Sequence, residues 1–506
     1  MMKVDCDILI IGSGAAGGVL ASTLAEHTDK RIVVVERGGY FGRESFDQTE
    51  LGARHLFAGG GLQGTRDGAI PVRGGACVGG GTTVNVALCF DPKEPVWKGW
   101  RERLGVKGFS FEPEASDYGI GGLNMANSLN YVRERIHVHT PPDKEVNDNN
   151  RLLQRGCEAL GFSYSRFELN MRDCIGCGFC AVGCAYDRKQ GTMVTCLRDA
   201  VDRGVWLIHS CRVDKLRWEG EGNSRRVVGA SGVVLPEHPR SRRNSLAPGE
   251  VEFNAGLVIV AAGAIESPAL LMRSEHPDPH ELLGRGLVLH PSLPLFGVHE
   301  APLKNYRGIT GTIYSDHFYE SDGFYLECLY GHPIYAAGLV SGLGAEHFQM
   351  MRDYTKTSGF GVMLVDTPRP QNRVAVNRQS GKTEIHYQLS PEDQVRFRYA
   401  AQKAVEVMFA GGAREAVLPS EQPLGELPRP HFTRPEQASL CQHLSFEPHR
   451  TKITSAHPQA TVGLGEDPRT SMLNSRSESH WVRTLEVCDS SAFPTSCGAT
   501  PMVSIM

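Results

Sequence analysis

No apolar run in this chain of 506 residues is long and uncharged enough to cross a bilayer. A span needs about 20 predominantly apolar residues, and the longest candidate, Leu257 to Met272, is broken by Glu266 and Pro268. The N-terminus, Met1-Met2-Lys3-Val4-Asp5-Cys6-Asp7, lacks the basic and apolar stretches of a secretory leader. No twin-arginine pair stands there either, and no internal repeat runs along the chain. An excess of basic charge is also missing. The 53 Lys and Arg are outnumbered by 57 Asp and Glu, for a net charge of −4. That balance excludes the basic field that nucleic acid or an anionic lipid surface would select. The expected location is the cytoplasm, with no transmembrane segment; peripheral contact with a membrane is left open.

What is present in abundance is glycine, 57 residues, and cysteine, 14 residues. Without a leader, so many cysteines favour a reducing compartment with metal-binding or buried thiols over a disulfide scaffold. Many of the glycines fall in short clusters, which predicts close approach of backbone to a ligand. Hydrophobic residues at 41% and charged residues at 22% are ordinary for a soluble globular protein. The length suits two or three domain-sized units or one large interleaved enzyme.

The first cluster has a clear context. Asp7-Ile8-Leu9-Ile10-Ile11 reads as a strand, Gly12-Ser13-Gly14-Ala15-Ala16-Gly17 as a glycine turn, the stretch to Ala25 as a helix, and Ile32 to Val35 as a second strand ending at Glu36. This is a β-α-β unit with a G-x-G-x-x-G fingerprint. Gly12, Ser13, Gly14 and Gly17 let the backbone reach a pyrophosphate at a helix N-terminus, and Glu36 can accept hydrogen bonds from ribose hydroxyls. The motif alone does not separate FAD from NAD.

Further along, helices are expected over residues 147–160, from about 192 to 201, and over 392–410. The last is opened by Ser390-Pro391 with acids in its first turn. Strands are expected within 205–235, at Leu257 to Ala262, and through 300–390. Residues 236–250, rich in Arg, Ser and Pro, read as an exposed turn.

The second glycine cluster, Gly75-Ala76-Cys77-Val78-Gly79-Gly80-Gly81-Thr82-Thr83-Val84-Asn85, resembles the first signature of the glucose–methanol–choline (GMC) oxidoreductases. Three further segments resemble the same family, in its order. They are Gly263-Ala264-Ile265-Glu266-Ser267-Pro268, Gly284-Arg285-Gly286-Leu287-Val288-Leu289-His290-Pro291, and the C-terminal stretch from Ser455-Ala456-His457 to Phe493-Pro494-Thr495. Gly183-Cys184, Lys189-Gln190-Gly191-Thr192, Ser455-Ala456-His457 and the final Gly498, Pro501 and Met502 look most like long-chain alcohol oxidases and related dehydrogenases.

The resemblance implies an α/β fold, in which a Rossmann-like FAD-binding domain is interleaved with an α+β substrate domain built on an antiparallel sheet. Residues 1–300 would form the FAD domain with a cysteine-loop insertion near 170–190, residues 301–450 the substrate domain, and residues 451–506 a return to the FAD domain. It implies FAD held by Gly12, Ser13, Gly14, Gly17, Glu36, Gly79, Gly80, Thr82, Asn85, Val213 and Asp489. FAD should be non-covalent, because Val84 stands where some members carry a flavin-linked histidine. An alcohol is the implied substrate. His457 falls where the family keeps its catalytic histidine, and a neutral imidazole there can take the hydroxyl proton while the carbon hydride passes to flavin N5. Thr500 replaces the family's second His or Asn, and Asn85 would orient the reacting edge.

The cysteine run Cys174-Ile-Gly-Cys177-Gly-Phe-Cys180-Ala-Val-Gly-Cys184 has the C-x2-C-x2-C-x3-C spacing of bacterial iron–sulfur loops. A cluster there would give a two-electron flavin a one-electron exit to a quinone, cytochrome or ferredoxin. In two-cluster ferredoxins the fourth cysteine serves the other cluster, so Cys196 or Cys211 would be alternative fourth ligands. Zinc, or buried free thiols, are the competing readings. The competing functions are an oxygen-using alcohol oxidase without a cluster, a steroid or polyol dehydrogenase, and a flavin-binding electron carrier that turns over no alcohol.

Overall fold

In the computed structural model, residues 1–110 and 124–506 are described. Two seven-stranded sheets organise them. The first runs, edge to edge, Trp206–Ile208, Ile32–Val35, Met2–Ile11, Gly249–Val260, Arg226–Val234 and Cys211–Glu219, and Leu485–Val487 also pairs with Gly249–Val260. Its central pairings are parallel: Ile8 lies opposite both Ile32 and Leu257, and Val258 opposite Leu485. Such strands are covered on both faces, so they read as continuous apolar runs. Leu9, Ile10, Val34, Val258 and Val260 are fully buried, each contributing about 1.5–3 kcal/mol of burial. The helix Ala15–His27 leaves the first strand through the glycine turn.

The second sheet is antiparallel throughout. Its order is His431–Phe432, Glu415–Val417, Ser292–Val298, Thr357–Leu364, Phe324–Glu327, Ile313–Ser315 and Ser165–Arg166. It therefore recruits one strand from before position 170 and another from before 300, so the two sheets interleave along the chain. The helix Pro391–Ala410 covers its outer face. Ser390 Oγ caps that helix by accepting from Asp393 N at 2.9 Å, and Pro391 stands in its first turn. Phe397, Ala401, Ala404 and Met408 pack there against Leu293, Leu295, Phe360 and Val362.

Strand alternation sends the intervening residues the other way. Ser292, Pro294, Phe296, Gly359, Gly361 and Glu327 face a cavity between this sheet and the first one. The helix Asp148–Leu160 follows its Asn147 cap as the sequence predicts. The helix expected from about 192 starts four residues later, at Cys196, because Thr192 and Thr195 turn their hydroxyls into loop contacts.

Candidate active site

A cavity of about 1340 Å³ runs from the glycine turn to His457. It exceeds the roughly 300–1,000 Å³ of ordinary small-molecule pockets. Its lining includes Gly12, Ser13, Gly14, Glu36 and Val213 from the first sheet and its glycine turn, and Asn85, Glu327, His457 and Thr500.

The glycine turn suits an anion. Gly12 adopts φ +111°, and a Cβ there would sit 2.2 Å from the Ala261 carbonyl oxygen. Gly14 caps the helix Ala15–His27 without a side-chain hydrogen bond, so the first-turn N–H groups and the helix dipole face the cavity unanswered. Gly17 does not line the cavity. It packs under Gly12, whose carbonyl oxygen would lie 2.0 Å from a Cβ at Gly17.

Ser13 links three segments. Its hydroxyl donates to Glu36 Oε2 at 2.7 Å and accepts from Gly79 N at 3.2 Å. The Glu36 carboxylate also takes the Ser13 and Gly38 N–H groups at 3.1 and 2.9 Å. Burial pushes its proton affinity up against these donors. The two glycine loops touch: Gly80 has φ +51°, and a Cβ there would come within 2.8 Å of Gly14 Cα. This is the close backbone approach that a bound dinucleotide requires, so the residues present fit FAD.

Other expected cofactor residues are built into the frame. Gly79 gives its N–H to Ser13 and its carbonyl to Thr82 Oγ1 at 2.7 Å. Thr82 also meets the Thr192 hydroxyl at 3.0 Å and N–H at 3.1 Å. Asp489 borders the cavity, but its carboxylate accepts from Gly263 N, Ser267 Oγ and Ser491 N at 2.8, 2.6 and 2.7 Å. It thereby ties the C-terminal segment to the start of the helix Gly263–Arg273. Val213 borders the cavity just before a bulge in its strand.

His457 is half-buried and lines the cavity. Removal from water pulls its imidazole down to about 4, so the neutral, proton-accepting form prevails. Its Nδ1 is buried without a partner. Behind it stands fully buried His290, ring to ring at 5.6 Å and 85°. His290 Nε2 lies 2.5 Å from Ser496 Oγ and 3.2 Å from Gln459 Nε2. Asn85 lines the cavity, yet one amide N–H goes to Met502 Sδ at 2.8 Å and Oδ1 accepts from Ala87 N at 3.2 Å. Its orienting role is left with a single free N–H. The Thr500 hydroxyl reaches Glu327 Oε1 at 3.5 Å.

Sequence reasoning missed Glu327, His290 as a neighbour of His457, and Lys189. Lys189 is buried, and its Nζ donates to the carbonyls of Thr83, Asn85 and Cys180 at 2.8, 2.7 and 2.7 Å. It lies within a family-like stretch, which was the available signal. Glu327 sits in the variable middle region, where no motif marks it.

The cysteine run does not carry the cluster expectation. Among the described residues no group of three or more His, Cys, Asp or Glu is arranged to hold a metal ion. Cys174 Sγ accepts from Gly176 N at 3.4 Å, Cys177 Sγ from Gln48 Nε2 at 3.5 Å, and Cys184 Sγ from Arg188 N at 3.3 Å. Cys180 is buried among Phe167, Leu169 and Met171, and burial pushes its thiol up to about 12. The four thiols are electrostatic neighbours; three accept from local N–H groups, and Cys180 packs in the apolar cluster. Nor is any described helix long and apolar enough to cross a membrane.

Comparison with known proteins agrees with this geometry. Residues 53–292 and 368–506 match the GMC oxidoreductase family, and residues 7–47 match an FAD binding domain. The chain is 28% identical to a long-chain-alcohol oxidase of Arabidopsis thaliana, over 100% of this chain and 67% of that one. It is 27% identical to an uncharacterised GMC-type oxidoreductase of Sinorhizobium fredii, over 100% of this chain and 93% of the other. Among solved structures, a pyridoxine 4-oxidase from Mesorbium loti superposes with a TM-score of 0.68 at 17% identity, covering 99% of this chain and 97% of that one. A formate oxidase also gives 0.68 at 14% identity, covering 100% and 96%; at such identities the likeness is one of fold.

Proposed function

We propose, from the premise that this chain belongs to the GMC oxidoreductases and binds FAD, that it oxidises an apolar primary alcohol to the carbonyl, with His457 as the proton acceptor. The observation that carries this reading is a neutral imidazole lining the same cavity as the dinucleotide turn. When bound, FAD supplies a hydride acceptor at N5. The chain does the rest. His457 takes the hydroxyl proton, Thr500 and the free N–H of Asn85 hold the substrate oxygen, and Phe296, Leu329, Tyr335 and Leu339 give the cavity an apolar wall for a carbon chain. The resemblance to long-chain-alcohol oxidases of Arabidopsis thaliana supports the apolar substrate.

Oxygen is the proposed electron acceptor. The long-chain-alcohol oxidases that the chain resembles carry an oxidase name, which favours this acceptor. No step runs through the cysteine run.

The test is anaerobic mixing of the flavin-loaded protein with alcohols of increasing chain length, followed by readmission of air. Flavin absorbance should bleach with longer apolar alcohols, and one peroxide should form per carbonyl. His457→Ala should slow bleaching by about 10²–10⁴-fold, the usual contribution of a positioned base. Unchanged bleaching in that variant would remove His457 from the mechanism. Failure of every alcohol to bleach the flavin would leave the electron-carrier reading.

A further inference from the structure

Glu327 ends the strand Phe324–Glu327, with its carboxyl facing the cavity and only 3% of its surface exposed. On one side its sheet neighbours offer it nothing polar, and on the other its register partner is Tyr314. Gly361 lies directly opposite, and Pro294 beyond that. The side chain one pleat back, Tyr325, gives its hydroxyl to the Gly498 carbonyl at 2.9 Å. The Tyr314 phenol lies nearby, and the charged pair Lys93–Asp316 stands farther out, with Lys93 against the Tyr319 and Tyr325 rings. Among the described residues no cation forms an ion pair with Glu327, and its side-chain hydrogen-bond contact is with Thr500. A carboxyl isolated in this way is costly to bury, and such groups concentrate where chemistry needs them.

Thr500 is 7% exposed and lines the same cavity as His457. Its hydroxyl has two long contacts, Glu327 Oε1 at 3.5 Å and Met363 Sδ at 3.9 Å. Neither locks the hydrogen in place. A hydroxyl can donate one hydrogen while accepting another, so the direction of the Thr500 dipole follows its neighbour.

We propose that Glu327 is a positioning residue that acts through Thr500, its proton deciding whether the Thr500 hydroxyl donates to the substrate oxygen. This rests on the alcohol-oxidation reading of the site and extends it. With the proton on Glu327, the carboxyl donates to Thr500 Oγ1 and the Thr500 hydrogen turns to the alkoxide that develops as His457 takes the substrate proton. With Glu327 ionised, Thr500 donates to the carboxylate and offers only lone pairs to that oxygen. The proton on Glu327 is not consumed: it stays on the carboxyl through the reaction, and the substrate proton resides on His457. Burial raises the Glu327 carboxyl to about 7. The protonated form is therefore lost as pH rises through neutrality, and flavin reduction should slow by about 10²-fold, the effect of losing one donor to a developing oxyanion.

Two measurements test this. The first is the rate of anaerobic flavin reduction from pH 5.5 to 9. Wild type and Thr500→Ser should show a decline centred near pH 7. Glu327→Gln, whose amide donates permanently to Thr500, should keep the low-pH rate with no decline. Thr500→Val should be slow throughout and indifferent to a second Glu327→Gln change. The second needs no alcohol. The infrared band of a buried protonated carboxyl should titrate near pH 7 in the flavin-loaded protein, vanish in Glu327→Gln, and shift in Thr500→Val. A decline that persists in Glu327→Gln, or a band untouched by Thr500→Val, overturns the proposal. A wild type that reduces no flavin with any alcohol but shows the titrating, Thr500-sensitive band overturns the alcohol reading and leaves the pair intact.

Discussion

Two cavity side chains titrate away from their ordinary ranges in opposite directions, both because burial disfavours charge. Glu327 is held toward its neutral acid and His457 toward its neutral base, at about 4. For His457 the sign matters. An ordinary imidazole gains its proton near 6.5, so between pH 6.5 and 4 the unfolded chain binds a proton that the folded chain refuses. Stability therefore falls across that window as pH drops, by about 3 kcal/mol in all from this group, and is unaffected above 6.5. His457→Gln should lose less stability than wild type between pH 7 and 5, read as the shift in urea midpoint. Equal shifts would mean that His457 titrates normally. Flavin reduction should likewise persist down to about pH 5, where an unperturbed imidazole would be mostly protonated.

The glycine loops show which elements a sequence can announce. The fingerprint Gly12 to Gly17 and its Glu36 were legible because a βαβ unit has a fixed order of strand, turn, helix and acid. The second loop was legible only as a resemblance, and the ties that hold it were not. Lys189 lies 104 residues beyond Asn85, yet it bonds three carbonyls in the loop and the cysteine segment. Nothing local in the sequence encodes that contact.

The cysteines show a complementary limit. Spacing fixes where thiols fall along the chain, but loop dihedrals, with Gly176, Gly178 and Gly183 all at positive φ, fix where they point. Lys189→Met should leave the carbonyls of Thr83, Asn85 and Cys180 without their donor in a buried site. A loss of about 1–3 kcal/mol for each buried carbonyl left unsatisfied is the upper bound expected. Thermal melting and FAD retention on gel filtration measure it. A variant that melts normally and keeps its flavin would show that the loop holds itself.

At the scale of the whole molecule, the β-α-β unit and the strands through 300–390 were read from order and alternation, and the antiparallel sheet was implied by the family resemblance. The strand membership of that sheet was not. Ser165–Arg166 and Ser292–Val298 join it from across the chain, and pairing over such distances is set by the closed tertiary structure, not by any window of residues. Interleaving has a thermodynamic consequence. The cavity is walled by residues of both sheets, from Ile11 and Val213 on one to Pro294, Phe296 and Glu327 on the other. A ligand filling it contacts both, and neither sheet can open without losing that ligand. Protein stripped of flavin should therefore melt in one transition that moves upward as FAD is added. Once FAD exceeds its dissociation constant, each tenfold increase adds about 1.4 kcal/mol, because binding to the folded state alone stabilises by mass action. Calorimetry across a range of FAD concentrations reads this directly. Two transitions, of which FAD moves only one, would mean that the antiparallel sheet folds as an independent unit and that the cavity closes only by docking.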